Sequence, residues 1–154
     1  MFKQSTALLL LATAIALATG CGSSGEEPLS KAEFIKQANQ ICNLQGTEVT
    51  ERLSTYAEEQ PPNQTQDELY AGAVKTILLP ITEARIDEIG SLAPPQGDEK
   101  QVNAYLSAEQ NGVDEIKRQE ATSFAALNDS LIEFEKPFKP AAKLAQEYGF
   151  KECQ

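Results

Sequence analysis

The chain has 154 residues, a formal net charge of −10 and no histidine. The absence of histidine excludes Ser-His-Asp and Cys-His catalysis, zinc and haem sites that use imidazole, and the Glu-x-x-His pairs of di-iron helical bundles. The acidity opposes binding to nucleic acid, so no nucleic-acid partner is expected. We therefore predict no catalytic residue, no cofactor and no metal site, and a protein that is not an enzyme.

The first twenty residues have the three parts of a signal peptide. Lys3 supplies a positive start, residues 5–19 are apolar or small, and the segment closes on Leu17-Ala18-Thr19-Gly20-Cys21. An apolar stretch of about 15 residues is shorter than the roughly 20 that a membrane-spanning helix needs. Small residues before a cysteine resemble a bacterial lipobox, so we predict cleavage after residue 20 and lipid attachment at Cys21. The alternative is an ordinary signal peptide cut beside a buried or disulfide-bonded cysteine.

Residues 21–29 are predicted to be a flexible tether, since Gly22 to Glu27 are small, polar or charged. The helical domain then covers residues 30–154. Because Lys3 leaves with the signal peptide, the net charge of −10 becomes −11 in the mature chain. We expect the protein at the cell membrane, anchored by its lipid and facing the extracellular side, where a surface protein or a cell-wall component is the expected kind of partner.

The first helix of this domain has a complete start and one apolar stripe. Ser30 can cap it, Glu33 can bond back to the cap, and Leu29 can pack on Phe34. The helix should stop at Pro61-Pro62. Its stripe repeats at spacings near three and four and is interrupted by one glutamine: Phe34, Ala38, Ile41, Gln45, Val49, Leu53 and Tyr56.

The second helix is predicted between Thr65 and the Pro94-Pro95 pair. Thr65 and Glu68 repeat the capping-box pattern. Pro80 lies inside this helix, where it removes one backbone hydrogen bond and predicts a kink. Its apolar stripe includes Tyr70, Val74, Ile77, Ile81, Ala84, Ile89 and Leu92.

The third helix should begin near Gly97-Asp98-Glu99, with Val102, Leu106, Val113 and Ile116 on its stripe and Tyr105 at the edge. Glu109 occupies a stripe position where a large apolar residue is missing. Gly112 costs this helix about 1 kcal/mol relative to alanine, and its small size would allow a neighbouring helix to approach closely. Whether Pro80 and Gly112 shape a site or only the packing is left open.

The last segment repeats apolar residues with heptad spacing from Phe124 to Tyr148. Pro137 and Pro140 cannot both lie in a regular helix interior, so we predict a break near Pro137, with Pro137 in the first turn of the final helix. Gly149 should end this helix in a left-handed conformation. Together the four helices predict an all-α protein, an antiparallel four-helix bundle closed by one disulfide.

Cys42 and Cys153 are the two cysteines that remain apart from Cys21. An exported protein meets an oxidising compartment, so an even pair predicts a disulfide, which would join the first helix to the chain end. The alternative is a pair of free thiols, one of them catalytic. No histidine is present to activate such a thiolate.

Three segments resemble a group of uncharacterised small helical lipoproteins of high-GC Gram-positive bacteria (Actinobacteria). They are Lys31 to Ile35 running on to Ile41-Cys42, Leu92 to Pro95 followed by Gly97-Asp98, and Tyr148 to Cys153. The resemblance implies an all-helical, disulfide-closed domain on the cell surface. It implies no reaction, ligand or partner.

Two functions are compatible with these features. The first is a non-catalytic interaction module that docks a surface protein or a cell-wall component. The alternative is a carrier of a small apolar ligand or lipid between the helices, which a fully packed interior would exclude. Aromatic residues on or near the inner stripes suggest the carrier, although such residues usually fill a core: Tyr56, Tyr70, Tyr105, Phe124, Phe134 and Phe138.

Carboxylates leave a third possibility open, which is acid–base catalysis by a pair of acidic residues. Candidates cluster in the second and third helices, at Glu83, Asp87, Glu88, Asp114 and Glu115. A catalytic role would require two of them in a cleft with shifted pKa values. A solvated helix face is the more ordinary interpretation.

Overall fold

The structure is a computed structural model that describes residues 27–122 and 135–154. Within these ranges every regular element is helical: α1 (Lys31–Glu59), α2 (Gln66–Ala73), a π-helical segment (Val74–Leu78), α3 (Leu79–Ser91), α4 (Glu99–Thr122), a 3-10 turn (Lys136–Phe138) and α5 (Lys139–Tyr148). Helix α3 packs against α1 and α4, and α5 packs against α4. The prediction of an all-α protein is confirmed for this part of the chain.

Several predictions concern residues that the structure does not describe. The signal peptide, the lipid site at Cys21, and the aromatic residues Phe124 and Phe134 lie outside the described ranges. Among the helices that are described, none is both long enough and apolar enough to span a bilayer.

Both predicted capping boxes are present. At the start of α1 the Ser30 hydroxyl accepts the Glu33 amide N–H at 3.3 Å, and the Glu33 carboxylate accepts the Ser30 amide N–H at 3.3 Å. Before α2 the Thr65 hydroxyl accepts the Glu68 amide N–H at 3.2 Å, and the Glu68 carboxylate accepts the Thr65 amide N–H at 2.9 Å. Leu29 packs beside the cluster that contains Phe34, as expected for a hydrophobic staple. These short-range bonds fix where α1 and α2 begin.

Where the sequence predicts a kink, the chain becomes π-helical just before Pro80. The Leu79 amide donates to the Val74 carbonyl, five residues back, and Pro80 lies in the first turn of α3. Proline has no N–H to offer the Thr76 carbonyl four residues earlier. The Arg52 guanidinium of α1 donates to that carbonyl instead, at 3.4 Å. Pro80 therefore divides the predicted second helix into α2, the π-helical segment and α3.

The buried apolar side chains form two clusters. The disulfide cluster is the larger and contains Phe34, Ala38, Cys42, Ile89, Val102, Tyr105, Ala141, Ala145, Tyr148, Phe150 and Cys153. The π-segment cluster contains Val74, Leu78, Leu79, Val113 and Ile116, with Val49 and Phe138 packed on it. Helices α1, α3 and α4 each have residues in or against both clusters. The middle of each of these helices therefore runs past the space between the clusters.

Two predicted details of the packing are wrong. Tyr105, placed at the edge of the third stripe, is 1 % exposed, whereas Leu106 is only half-buried. The final α-helix begins at Lys139 with Pro140 in its first turn, and Pro137 lies in the preceding 3-10 turn. Pro140 cannot donate a backbone hydrogen bond, so the first turn is the position that accommodates it without loss.

The C-terminal residues 149–154 fold back onto α1. Gly149 ends α5 with φ of 106°, a left-handed conformation that glycine adopts without strain. Phe150 is fully buried and packs between the rings of Phe34 and Tyr105. Cys153 forms the disulfide with Cys42, as predicted. In addition, the Asn39 side-chain oxygen accepts the amide N–H groups of Lys151 and Glu152 at 2.8 and 3.0 Å.

Asp98, just before α4, contacts the first residue of α1 and the last residue of α5. Its carboxylate accepts a hydrogen bond from the Tyr148 hydroxyl at 2.9 Å and lies 3.1 Å from the Lys31 ammonium. The bond from Tyr148, followed by that from Lys31, lowers the pKa of the Asp98 carboxyl. A carboxyl whose pKa is lower in the folded than in the unfolded chain stabilises the fold above its unfolded pKa, and this contribution is lost as the pH falls through the folded pKa.

The Asp98→Asn variant is accordingly expected to show a smaller loss of stability on acidification than the wild type. The difference should develop below about pH 4, where an ordinary aspartate takes up its proton. Thermal unfolding followed by circular dichroism between pH 7 and pH 2.5 measures it. Asp87→Asn, the same change at an exposed position, is the control. Parallel pH profiles of the wild type and Asp98→Asn would contradict the assigned role.

Candidate functional site

A cleft of about 430 Å³, which opens to solvent and is called the central cavity below, lies between the two apolar clusters. Its walls come from α1, the π-helical segment, α3, α4, the chain between Glu135 and Ala142, and the C-terminal residues from Glu152 onward. Cavities of 300 to 1,000 Å³ are the usual size of sites that hold small molecules. The helices therefore leave a solvent-accessible cleft of that size, lined partly by exposed residues.

Four polar side chains form a layer at one side of this cavity, and we call them the polar layer: Gln45, Thr82, Arg85 and Glu109. Along its own helix, each of the four lies between a residue of the disulfide cluster and a residue that belongs to, or packs on, the π-segment cluster. Gln45 follows Cys42 and precedes Val49, and Glu109 lies between Tyr105 and Val113. Three helices thus place polar groups at the same level of an otherwise apolar interior.

An ion pair dominates the polar layer. The Arg85 Nη2 atom donates to the Glu109 Oε2 atom at 2.7 Å, which is the short distance of a charge-assisted hydrogen bond. Glu109 is 3 % exposed and the Arg85 side chain 23 %. The pair cancels its own charge, so this wall of the cavity is polar but carries no net charge. The Nε–H of Arg85 is buried and has no hydrogen-bond partner among the described residues.

Gln45 supplies a second buried polar group. The residue is 6 % exposed, and its Oε1 atom accepts no hydrogen bond from any described residue. A buried acceptor without a partner costs about 1–3 kcal/mol. Thr82 differs, because its hydroxyl donates to the Leu78 carbonyl at 2.8 Å within its own helix. Among the described residues of the polar layer, one acceptor at Gln45 and one donor at Arg85 therefore lack a partner, and neither atom is accessible to solvent.

Tyr105 lies one helical turn before Glu109 on the side of the disulfide cluster. Its hydroxyl is close enough to the Glu109 carboxylate to respond to that charge, yet it makes no well-formed hydrogen bond within the described chain. Burial first, and the Glu109 charge second, raise the pKa of Tyr105. The phenol consequently stays protonated at physiological pH and remains a potential donor.

Phe138 forms an apolar wall of the cavity and depends on Gly112. A Cβ atom at position 112 would lie 2.5 Å from the Phe138 ring, so only glycine leaves room for the ring at its present place. Gly112 therefore both permits close packing of Phe138 and sets the position of this residue in the cavity wall.

Alanine substitutions at two helical glycines should have opposite effects on stability. Gly112→Ala is expected to lower the free energy of unfolding by about 1–2 kcal/mol, because the ring of Phe138 must move. Gly46→Ala, where a Cβ meets nothing within 4 Å, should raise it by about 0.5–1 kcal/mol through helix propensity alone. Urea denaturation measures both values. A stabilised Gly112→Ala variant would show that the ring does not depend on this glycine.

The carboxylates proposed as catalytic candidates are not brought together in the cavity. Glu83 pairs with the Lys117 ammonium at 2.5 Å, and Asp114 accepts from the Gln110 amide at 2.9 Å, both at exposed positions. Asp87 and Glu88 are exposed as well. In the described ranges no three side chains of histidine, cysteine, aspartate or glutamate are arranged to hold a metal ion. That the protein is not an enzyme stays a prediction.

The predicted inner aromatic residues have different positions. Phe138 lines the cavity, and Tyr105 lies behind the polar layer. Tyr70 packs on the π-segment cluster, whereas the Tyr56 hydroxyl lies against Gly72 away from the cavity. Only part of the aromatic pattern thus belongs to the candidate site.

Sequence reasoning missed the polar layer, although its signal was present. Gln45 and Glu109 each interrupt an apolar stripe at a position that faces the core. A charged residue at such a position is normally paired, because an isolated buried charge is very unfavourable. The pairing with Arg85 could not be derived, since it depends on how α3 and α4 align.

Comparison with known proteins identifies no relative: no protein-family model, no curated protein and no solved structure matches the chain. The resemblance to actinobacterial lipoproteins therefore stays a prediction. The geometry of the site carries the functional argument.

Proposed function

We propose that the protein is a lipid-anchored extracytoplasmic lipoprotein whose helical domain carries a small, mainly apolar ligand in the central cavity. The observation that supports this most is the cavity of about 430 Å³, whose walls combine the apolar side chains of Val49, Leu78 and Phe138 with the polar layer. A fully packed interior would have excluded a carrier. Of the two functions derived from the sequence, the cavity favours the carrier.

The antiparallel four-helix arrangement belongs to this proposal. Along α1 the chain passes from the disulfide cluster at Cys42 to the π-segment cluster at Val49. Helix α3 passes in the opposite sense, from Leu79 to Ile89, and α4 reverses again, from Tyr105 to Val113. These alternating directions support a bundle with the cavity halfway along it.

The membrane anchor rests on the lipobox-like segment before Cys21. Leu29, whose amide N–H donates to the Ala93 carbonyl at 3.2 Å, lies eight positions after this cysteine. A fully extended chain of that length reaches at most about 27 Å. A domain so tethered stays near the membrane surface, a suitable place for taking up or handing over a ligand of low solubility.

The interaction module is the second candidate, and Leu44 is the observation in its favour. This side chain of α1 is 61 % exposed, which is unusual for leucine within the described surface. A single exposed leucine is nevertheless common on soluble proteins. The cavity is therefore stronger support for a carrier than Leu44 is for an interaction module.

Native mass spectrometry of the protein purified from its own membrane tests the proposal. We expect a diacylated Cys21 and an additional non-covalent mass on the folded chain. Ala142→Phe, which places a ring at a cavity wall, should lose that mass, whereas Ala57→Phe on an exposed face of α1 should retain it. A wild-type chain without bound mass would contradict the carrier and favour the interaction module. An unmodified Cys21 would contradict the anchor.

A further inference from the structure

The disulfide between Cys42 and Cys153 forms part of the wall of the central cavity. We propose that it is a site of thiol–disulfide exchange, at which a low-molecular-weight thiol enters the cavity and forms a mixed disulfide with Cys153. This modification needs no bound ligand, so it is independent of the proposed carrier function. The bond that closes the fold is in this way also a reactive group.

The cavity gives a small thiol a path to the disulfide. Cys42 and Cys153 are 4 % and 5 % exposed, and both line the cavity, which opens to solvent. Its volume of about 430 Å³ is many times the roughly 10–15 Å³ that admits one water molecule, so a thiol of a few heavy atoms fits inside. A folded dithiol protein has no such path, because so little of either cysteine reaches the outer surface. The geometry therefore favours small thiols.

Contacts other than the disulfide hold the C-terminal residues on α1, so the exchange does not require unfolding. Phe150 is fully buried, and Asn39 accepts the amide N–H groups of Lys151 and Glu152 at 2.8 and 3.0 Å. None of these contacts involves a sulfur atom. Opening of the disulfide therefore releases Cys153 from Cys42 while the residues just before it keep their place.

The exchange is balanced by the thiol alone. A thiolate RS⁻ attacks Sγ of Cys153, the bond between the two Sγ atoms breaks, and its electron pair leaves on Cys42 as a thiolate. A second RS⁻ then attacks the mixed disulfide, which gives RSSR and two protein thiolates that take up protons from water. The small thiol is oxidised and the protein disulfide is reduced. Cys153 receives the group because it lies outside the helices and can move with it, whereas Cys42 is fixed within α1.

Gly46 is the position at which the path can be closed without disturbing the fold. It lines the cavity one helical turn after Cys42, and a Cβ atom there meets nothing within 4 Å. Helical side chains lean toward the preceding turn, so the side chain of Gly46→Leu covers Cys42. Gly46→Ala is the matched control, because alanine and leucine have similar helix propensities and the two variants should be about equally stable. A difference in their reduction rates then reports access to the disulfide and not stability.

Reduction of the oxidised full-length protein by 2-mercaptoethanol tests the proposal, with mass spectrometry after acid quenching as the readout. The rate should be first order in thiolate and change by less than about twofold with urea below the unfolding transition, because attack on the folded chain exposes no new surface. Gly46→Leu should react at least about tenfold more slowly than Gly46→Ala. A thioredoxin-type dithiol protein should be at least about tenfold slower than 2-mercaptoethanol at the same thiolate concentration.

Peptide mapping of the trapped intermediate should find the added thiol mass on Cys153, and added mass on Cys42 would overturn that assignment. Equal rates in Gly46→Leu and Gly46→Ala would show that the cavity is not the path. A rate that rises exponentially with urea, or faster reduction by the dithiol protein, would likewise overturn the inference. If Gly46→Leu does not fold, the urea dependence of the wild type decides alone. No ligand is used, so a negative result leaves the carrier function standing.

Discussion

Replacing Cys42 and Cys153 together by alanine is expected to lower the free energy of unfolding by about 4 kcal/mol. The disulfide joins residues 111 positions apart, and closing so long a loop restricts the unfolded chain strongly. Alanine is chosen because both cysteines are buried and a serine hydroxyl would add an unpaired polar group. Urea denaturation of the oxidised wild type and of the double variant gives the difference.

The matched control for this prediction is a reductant. It should destabilise the wild type by a similar amount and leave the double variant unchanged. Phe150 and the Asn39 bonds to Lys151 and Glu152 should still hold the C-terminal residues in the folded state. A loss below about 1 kcal/mol would show that these contacts, rather than the disulfide, close the fold.

Glu109→Ala is expected to lower the free energy of unfolding by about 3 kcal/mol. The change removes the counter-charge of Arg85 from a place where Glu109 itself is 3 % exposed. Breaking a buried pair costs about 3–5 kcal/mol, and the lower end applies because the Arg85 side chain is 23 % exposed and keeps some contact with water. Chemical denaturation at neutral pH measures the loss.

A double variant distinguishes the loss of the ion pair from the burial of an unpaired charge. Arg85→Leu combined with Glu109→Leu should return to within about 1 kcal/mol of the wild type, because an apolar replacement leaves no buried charge. Glu83→Ala, which removes a carboxylate from the more exposed pair with Lys117, should cost no more than about 1 kcal/mol. If the double leucine variant were as unstable as Glu109→Ala, the effect would come from packing and not from charge.

Local signals in the sequence were sufficient wherever neighbouring residues decide the structure. The capping boxes at Ser30 and Thr65 lie within one turn of their partners, and Gly149 adopts the left-handed cap that its position predicts. The disulfide between Cys42 and Cys153 followed from an even cysteine count in an exported chain. For these features sequence spacing and residue chemistry contain the necessary information.

Predictions were less accurate where the structure depends on residues that are distant in the sequence. Tyr105 rather than Leu106 fills the core, because its ring packs against Phe150 from the C-terminal residues. Pro80 led to a π-helical segment whose freed carbonyl is bound by Arg52, a residue 24 positions earlier than Thr76. Neither partner is near in the sequence, so an apolar stripe alone could not identify it.

The sequence by itself determined the helical class, most of the helix ends and the disulfide, since these depend on short-range hydrogen bonds, backbone preferences and the chemistry of two cysteines. Only the tertiary structure decided the site. Gln45, Arg85 and Glu109 come from three different helices, and their meeting depends on the axial alignment of those helices. The same alignment places Phe138 on Gly112 and leaves the cavity beside it. Unfilled space between helices is a property of their packing, which no single helix encodes.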